Sequence, residues 1–221
     1  MSDPLLFLAK GTVLGLAVAA PVGPIGLLCI SRTLERGFRA GVAGGLGTAL
    51  ADASFAGLAA TGFAAFSFVL GIIAAPLQVI GGGVLVALGV AGWRARSDAK
   101  PASIEEVGIA RLTAVTFLLT LANPATILSF AAMLAGLGLA ESAAAEDAAA
   151  VTLGVFTGSL AWWFFLCGLV ALLRQRLPQG FSLWVSRISA IILIGFGVTA
   201  IVIGLRALWV VIGSGGTLAS G

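Results

Sequence analysis

The chain has 221 residues, 60% of them hydrophobic and only 10% charged, with a mean hydropathy of +1.15. Soluble domains carry about a quarter charged residues, so this chain cannot cover itself with water-compatible surface and is expected to be an all-α membrane protein. A net charge of +3, the absence of histidine and two cysteines set in apolar runs (Cys29 and Cys167) give no ground for a nucleic-acid partner, a disulfide, a metal site or a cofactor.

Crossing the hydrocarbon core takes roughly 20 apolar residues, and six runs qualify. The first covers Leu5–Ser31. The region before it, "MSDPLL", has an acid and no base, so a cleaved signal peptide is not expected. Inside this run "AAPVGPIGLL" places Pro21, Gly23 and Pro24 together. Neither proline can donate an N–H, which frees the carbonyls of Ala17 and Ala20. The residue before a proline is also pushed out of helical geometry. A half-helix is expected to restart with Pro24 in its first position, leaving the N–H groups of Ile25, Gly26 and Leu27 open.

One long run, 40–92, holds Asp52 as its only charge and must fold back on itself as spans two and three, with a turn expected around Gly62–Gly71. Asp52 lies 12 residues past Ala40, which at about 1.5 Å per residue places it roughly 18 Å deep. An unpaired carboxylate there costs several kcal/mol, and such groups usually face a cavity or a proton path. Gly41, Gly45, Thr48 and Asp52 fall on one helical stripe of small residues. Two roles fit Asp52: a protonated packing contact, or a group that binds and releases a proton or a substrate ammonium.

Span four, Leu112–Ala140, contains Asn123-Pro124, an N-cap followed by proline at the first helical position. This pair is expected to free the N–H groups of Ala125 and Thr126 and the carbonyl of Thr120. Span five, about Ala148–Leu173, carries Trp162 and Trp163 at the depth of Asp52, where they either wall a pocket or simply pack. Span six is about Ile188–Ile212. Trp93, Trp184 and Trp209 lie near span ends as interfacial anchors, and a disordered tail is expected over 213–221.

Ten Lys and Arg residues fall in the links after spans one, three and five, against Lys10 and Arg206 elsewhere. The positive-inside rule makes those links cytoplasmic and puts both termini and the acidic link (Glu141, Glu146, Asp147) outside. The halves also resemble each other. Lys10 precedes Pro24 by 14 residues and Arg111 precedes Pro124 by 13, and "GLGTALAD" has a counterpart in "GVFTGSLAWW". Three spans per half imply two inverted three-helix repeats, 1–100 and 101–212, with helices one and four broken at their proline motifs. Helix N-termini at the two breaks would favour a carboxylate and the freed carbonyls an ammonium, which together suit a zwitterion such as an amino acid. No Ser–His pair, Glu-flanked His pair or carboxylate dyad occurs in the spans, so an enzyme is not expected. Glycine-rich faces permit close contacts within or between chains, which leaves room for a homo-oligomer.

The runs "AAPVGPIGLLCISRTLERGFRAGVAGGLGTALADASFAGLAATG", "LANPATILSFAAMLAGLG" and "FTGSLAWWFFLCG" resemble, in order, the two halves of LysE-type exporters. The resemblance implies a bacterial inner-membrane exporter of amino acids or similar small solutes, driven by the proton-motive force. It carries motif positions onto Pro21, Gly23, Pro24, Asp52, Asn123 and Pro124. With Thr48, Thr126, Trp162 and Trp163 these are the candidate site residues. Phe55 departs from the pattern, since close relatives are expected to have a tyrosine there. Related families move metal cations, which makes a metal-cation or other ion transporter the alternative, although one deep acid without histidine supplies a divalent site poorly.

Overall fold

Proline and glycine set the element boundaries at the N-terminal end. A computed structural model describes residues 4–21, 23–60, 63–94, 108–123, 126–127, 129–130, 145–174, 176 and 181–217. Among these, α1 (Pro4–Ala19) ends before Pro21, and α2 (Pro24–Arg36) starts with Gly23 as its N-cap and proline in the first turn. The two axes are bent by 80°. Two prolines within four residues account for the break, because neither can continue the i→i−4 ladder. α2 runs five residues beyond the expected end of span one. It stops at Gly37, whose φ of +88° only glycine adopts without strain and whose N–H donates to the Thr33 carbonyl at 2.9 Å.

The chain turns directly into α3 (Phe38–Ala60) and then α4 (Phe63–Arg94). The expected turn around Gly62–Gly71 is therefore corrected over 63–71, which belong to α4, while 61–62 lie outside the described residues. Gly71 sits inside α4, where a β-carbon would meet nothing within 4 Å. A single uncharged run gives no local stop signal there, so its glycines mislead. α5 (Ile109–Leu121) is short and ends at Ala122 and Asn123. α6 (Ala145–Arg174) and α7 (Phe181–Thr217) follow. α7 extends through "GSGGT", the described part of the stretch expected to be a tail.

All described elements are helical, and four stretches, in α3, α4, α6 and α7, are long and apolar enough to cross a membrane. The bent α1–α2 pair makes a fifth if taken as one broken span. Large apolar side chains such as Leu5, Ile80, Leu172 and Trp209 face outward, as expected where lipid replaces water. Trp93, Trp184 and Trp209 are all exposed near helix ends.

The strongest pairings are α4 with α7, α1 with α6, and α3 with both α6 and α5. Small residues make the closest of these possible. On α1, a β-carbon at Gly11 would fall 3.0 Å from the Gly154 Cα of α6. At Gly158 of α6 it would lie 2.8 Å from the Thr12 carbonyl carbon of α1. This is backbone-to-backbone approach of the kind seen where small residues recur every four positions. The α3–α5 contact is polar instead. Thr113 Oγ1 donates to the Ala43 carbonyl at 2.8 Å, and Thr120 Oγ1 donates to Thr48 Oγ1 at 3.4 Å.

Candidate functional site

The break between α1 and α2 opens onto a cavity of about 190 Å³. Pro21, Gly23 and Pro24 line it from the first half of the chain, together with Thr48 and Asp52 of α3. Asn123, Thr126 and Trp163 line it from the second half. Eight of the ten sequence-derived candidates thus meet around one space, although their positions span 142 residues of sequence, from 21 to 163. Pro124 lies outside the described residues. Trp162 does not border the cavity. It is half-buried against the apolar core, with its ring 5.7 Å from that of Phe165, so of the two tryptophans one walls the space and the other packs.

Each half-site has its own local construction. On the first side, Leu27 N–H donates to the Gly23 carbonyl at 3.0 Å, which closes the first turn of α2. The N–H groups of Ile25 and Gly26 precede that bond and belong to the unsatisfied first turn of a helix, and both residues line the cavity. On the second side, Asn123 behaves as the start of a new helical turn. Its carbonyl accepts the Ile127 N–H at 3.1 Å, and its Nδ2 donates to Thr126 Oγ1 at 3.0 Å. One expectation is corrected here. The Thr120 carbonyl is not freed, because the Asn123 N–H donates to it at 3.1 Å. The last turn of α5 tightens to i→i+3 spacing, a common way for a helix end to satisfy its carbonyls.

Asp52 is 1% exposed. Its Oδ2 accepts a hydrogen bond from Ser159 Oγ of α6 at 2.7 Å. Its Oδ1 is buried with no hydrogen-bond partner, and Nε1 of Trp163 is in the same condition. Buried polar groups are normally paired, and both residues that carry these orphan atoms border the cavity. Gly45 lets Trp163 sit against α3: a β-carbon there would fall 2.6 Å from Trp163 Cγ.

The sequence reading missed Ser159, Ser129 and Phe196, the last two on the cavity wall. Ser159 was findable. It stands four residues before Trp163 and so on the same helical face, and the face argument applied to α3 reaches it on α6. Replacing Ser159 with alanine is expected to leave Asp52 with no side-chain partner, at a cost of about 1–3 kcal/mol. The expected result is a lower unfolding midpoint and severalfold slower transport, read by thermal unfolding and flux on the same purified protein.

Phe55 does not border the cavity. It is buried beside Phe130, with ring centroids 5.4 Å apart, in an apolar cluster at one remove from the site. Among the described residues no three of Cys, Asp and Glu come together as a metal would need.

No curated protein and no solved structure matches the chain. A family model, LysE type translocator, matches residues 16–204, which include both breaks, Asp52 and Trp163. A multi-pass helical chain matched over that length is a membrane transport protein, and the chain belongs to the LysE type translocator family.

Proposed function

We infer that the protein exports amino acids or similar small zwitterions across the bacterial inner membrane, in exchange for protons. One observation carries the reading: Pro21, Gly23 and Pro24, Asn123 and Thr126, and Asp52 and Trp163 border a single cavity, and Asp52 Oδ1 and Trp163 Nε1 are buried without a hydrogen-bond partner. The open N–H groups at the start of α2 and the Trp163 Nε1 suit a carboxylate. Asp52 suits an ammonium, or a proton when the ammonium is gone. Alternation between these two occupants is the simplest way to couple opposite fluxes.

The architecture that goes with this function is six spans in two inverted three-helix repeats, 1–100 and 101–212. The pairing pattern supports it. A pseudo-twofold axis that exchanges spans one and four, two and five, and three and six would turn the α1–α6 contact into the α3–α5 contact. It would also leave the α3–α6 and α4–α7 contacts mapped onto themselves. All four are strong. Such repeats rock against each other around a central site. The arginines at the ends of α2, α4 and α6 and the start of α5 belong on the cytoplasmic face, which puts both termini outside.

A growth screen tests the reading. Cells with and without the gene are challenged with single amino acids and dipeptides at inhibitory concentrations. Protection by the gene against one chemical class is the expected result. Equal sensitivity across the panel, with and without the gene, would count against export.

A further inference from the structure

α2 borders two cavities. Its first turn lines the one described above, and its second half lines another of about 360 Å³ at the arginine-rich end of the molecule. A packed apolar cluster separates them. Ile25 and Trp163 of that cluster border the first cavity, and Leu28 and Leu193 border the second.

Among the described residues, Arg32, Arg36 and Arg111 line the second cavity with one acid, Glu35. Arg32 is only 7% exposed, yet its Nη1 has no hydrogen-bond partner, and the Nε of Arg36 is likewise buried without one. Ser31 Oγ donates to Glu35 Oε1 at 2.9 Å and holds that carboxylate in place. The rest of the wall carries Leu88, Val115 and Leu193 together with Ser186 and Ser189. A buried guanidinium with an unpaired N–H is costly. An anion that docks there would offset the cost, and a guanidinium fork matches a planar carboxylate through two parallel hydrogen bonds. The volume lies at the lower end of small-molecule pockets, about 300–1,000 Å³, and is roughly twice that of the cavity at Asp52.

We propose that this cavity is a second binding site, for a soluble carboxylate with an aliphatic body, and that the cargo docks here before it passes the apolar cluster to reach Asp52. That the carboxylate is cargo rests on the export reading; that the cavity takes a carboxylate does not. The guanidinium groups hold the carboxylate, Glu35 faces the ammonium of a zwitterion, and the leucines hold the aliphatic part. An anionic lipid headgroup offers similar charge without the aliphatic body, and the test separates the two.

The full chain in neutral phosphatidylcholine nanodiscs is titrated with labelled 4-methylpentanoate, with leucine and isopentylamine as competitors. Binding of the acid, competition by leucine and none by the amine are expected. Arg36→Gln and Arg111→Gln, both at the rim, should each weaken binding about tenfold or more. Arg206→Gln, the same charge change at the far end of α7, should leave it unaltered. Arg32→Gln should abolish binding, and the rim variants carry the test if that variant does not fold. No binding in neutral nanodiscs, competition by the amine, or unchanged affinity in both rim variants overturns the proposal. So does loss of binding when phosphatidylglycerol is added, since the occupant is then a headgroup. Amino-acid export that persists unaltered in both rim variants overturns the docking of cargo there and leaves the export reading standing. Arginine-dependent binding in a chain that exports no amino acid overturns the export reading and leaves the carboxylate site standing.

Discussion

Asp52→Asn is expected to reduce proton-driven amino-acid transport to the level of empty liposomes while leaving expression and folding intact. The substitution keeps the size of the side chain and its ability to accept from Ser159 Oγ, now 2.7 Å from Oδ2. What it removes is the only ionisable side chain that borders the central cavity among the described residues. An amide can neither bind a proton near neutral pH nor balance an ammonium. Exchange of unlabelled for labelled amino acid without a proton gradient is expected to fall less than driven uptake, because positioning by the two half-helices remains. Full driven activity in this variant would show that Asp52 only packs.

The second large effect is expected from Gly158→Leu. Its β-carbon would fall 2.8 Å from the carbonyl carbon of Thr12 and 3.0 Å from the Thr12 Cα. These are backbone atoms and cannot swing aside as a side chain would. Overpacking ordinarily costs 1–3 kcal/mol, and a clash with backbone belongs at or above the top of that range, about 3 kcal/mol or more. Separation of α1 from α6 would also move Ser159, the next residue, away from Asp52. The expected outcome is loss of the monodisperse peak on size-exclusion chromatography. Gly83→Leu is the control: a β-carbon at Gly83 meets nothing within 4 Å, so a normal elution profile is expected. Equal tolerance of both substitutions would contradict the close α1–α6 packing.

The features legible in the sequence were those set by local chemistry. Proline's missing N–H fixed the end of α1 and the start of α2 at Pro24, because no tertiary contact can restore that donor. A lone acid in a long apolar run singled out Asp52 for the same kind of reason. Features that depend on two distant segments were not legible. Ser159 reaches Asp52 across 107 residues of sequence; its place on the Trp163 face was readable, but the bond itself was not. The burial of Arg32 is similar. In sequence it is one of several arginines that mark a cytoplasmic link, and only the fold of α2 against α3 and α7 turns it into a nearly buried group. The Thr120 carbonyl failed by a smaller margin, since a one-residue tightening at the end of α5 satisfied it. The α3–α4 boundary was missed because glycine inside an apolar helix tolerates lipid as well as it tolerates a turn.

The central claim is that one cavity alternates between a zwitterion and a proton. Proton movement in proteoliposomes tests it directly, with a pH-sensitive dye trapped inside and single amino acids or divalent cations added outside. Addition of a transported amino acid is expected to release protons from the lumen, with the dye reporting a rise in internal pH, and the response should vanish in Asp52→Asn. A pH response to a divalent cation with none to any amino acid would contradict the account.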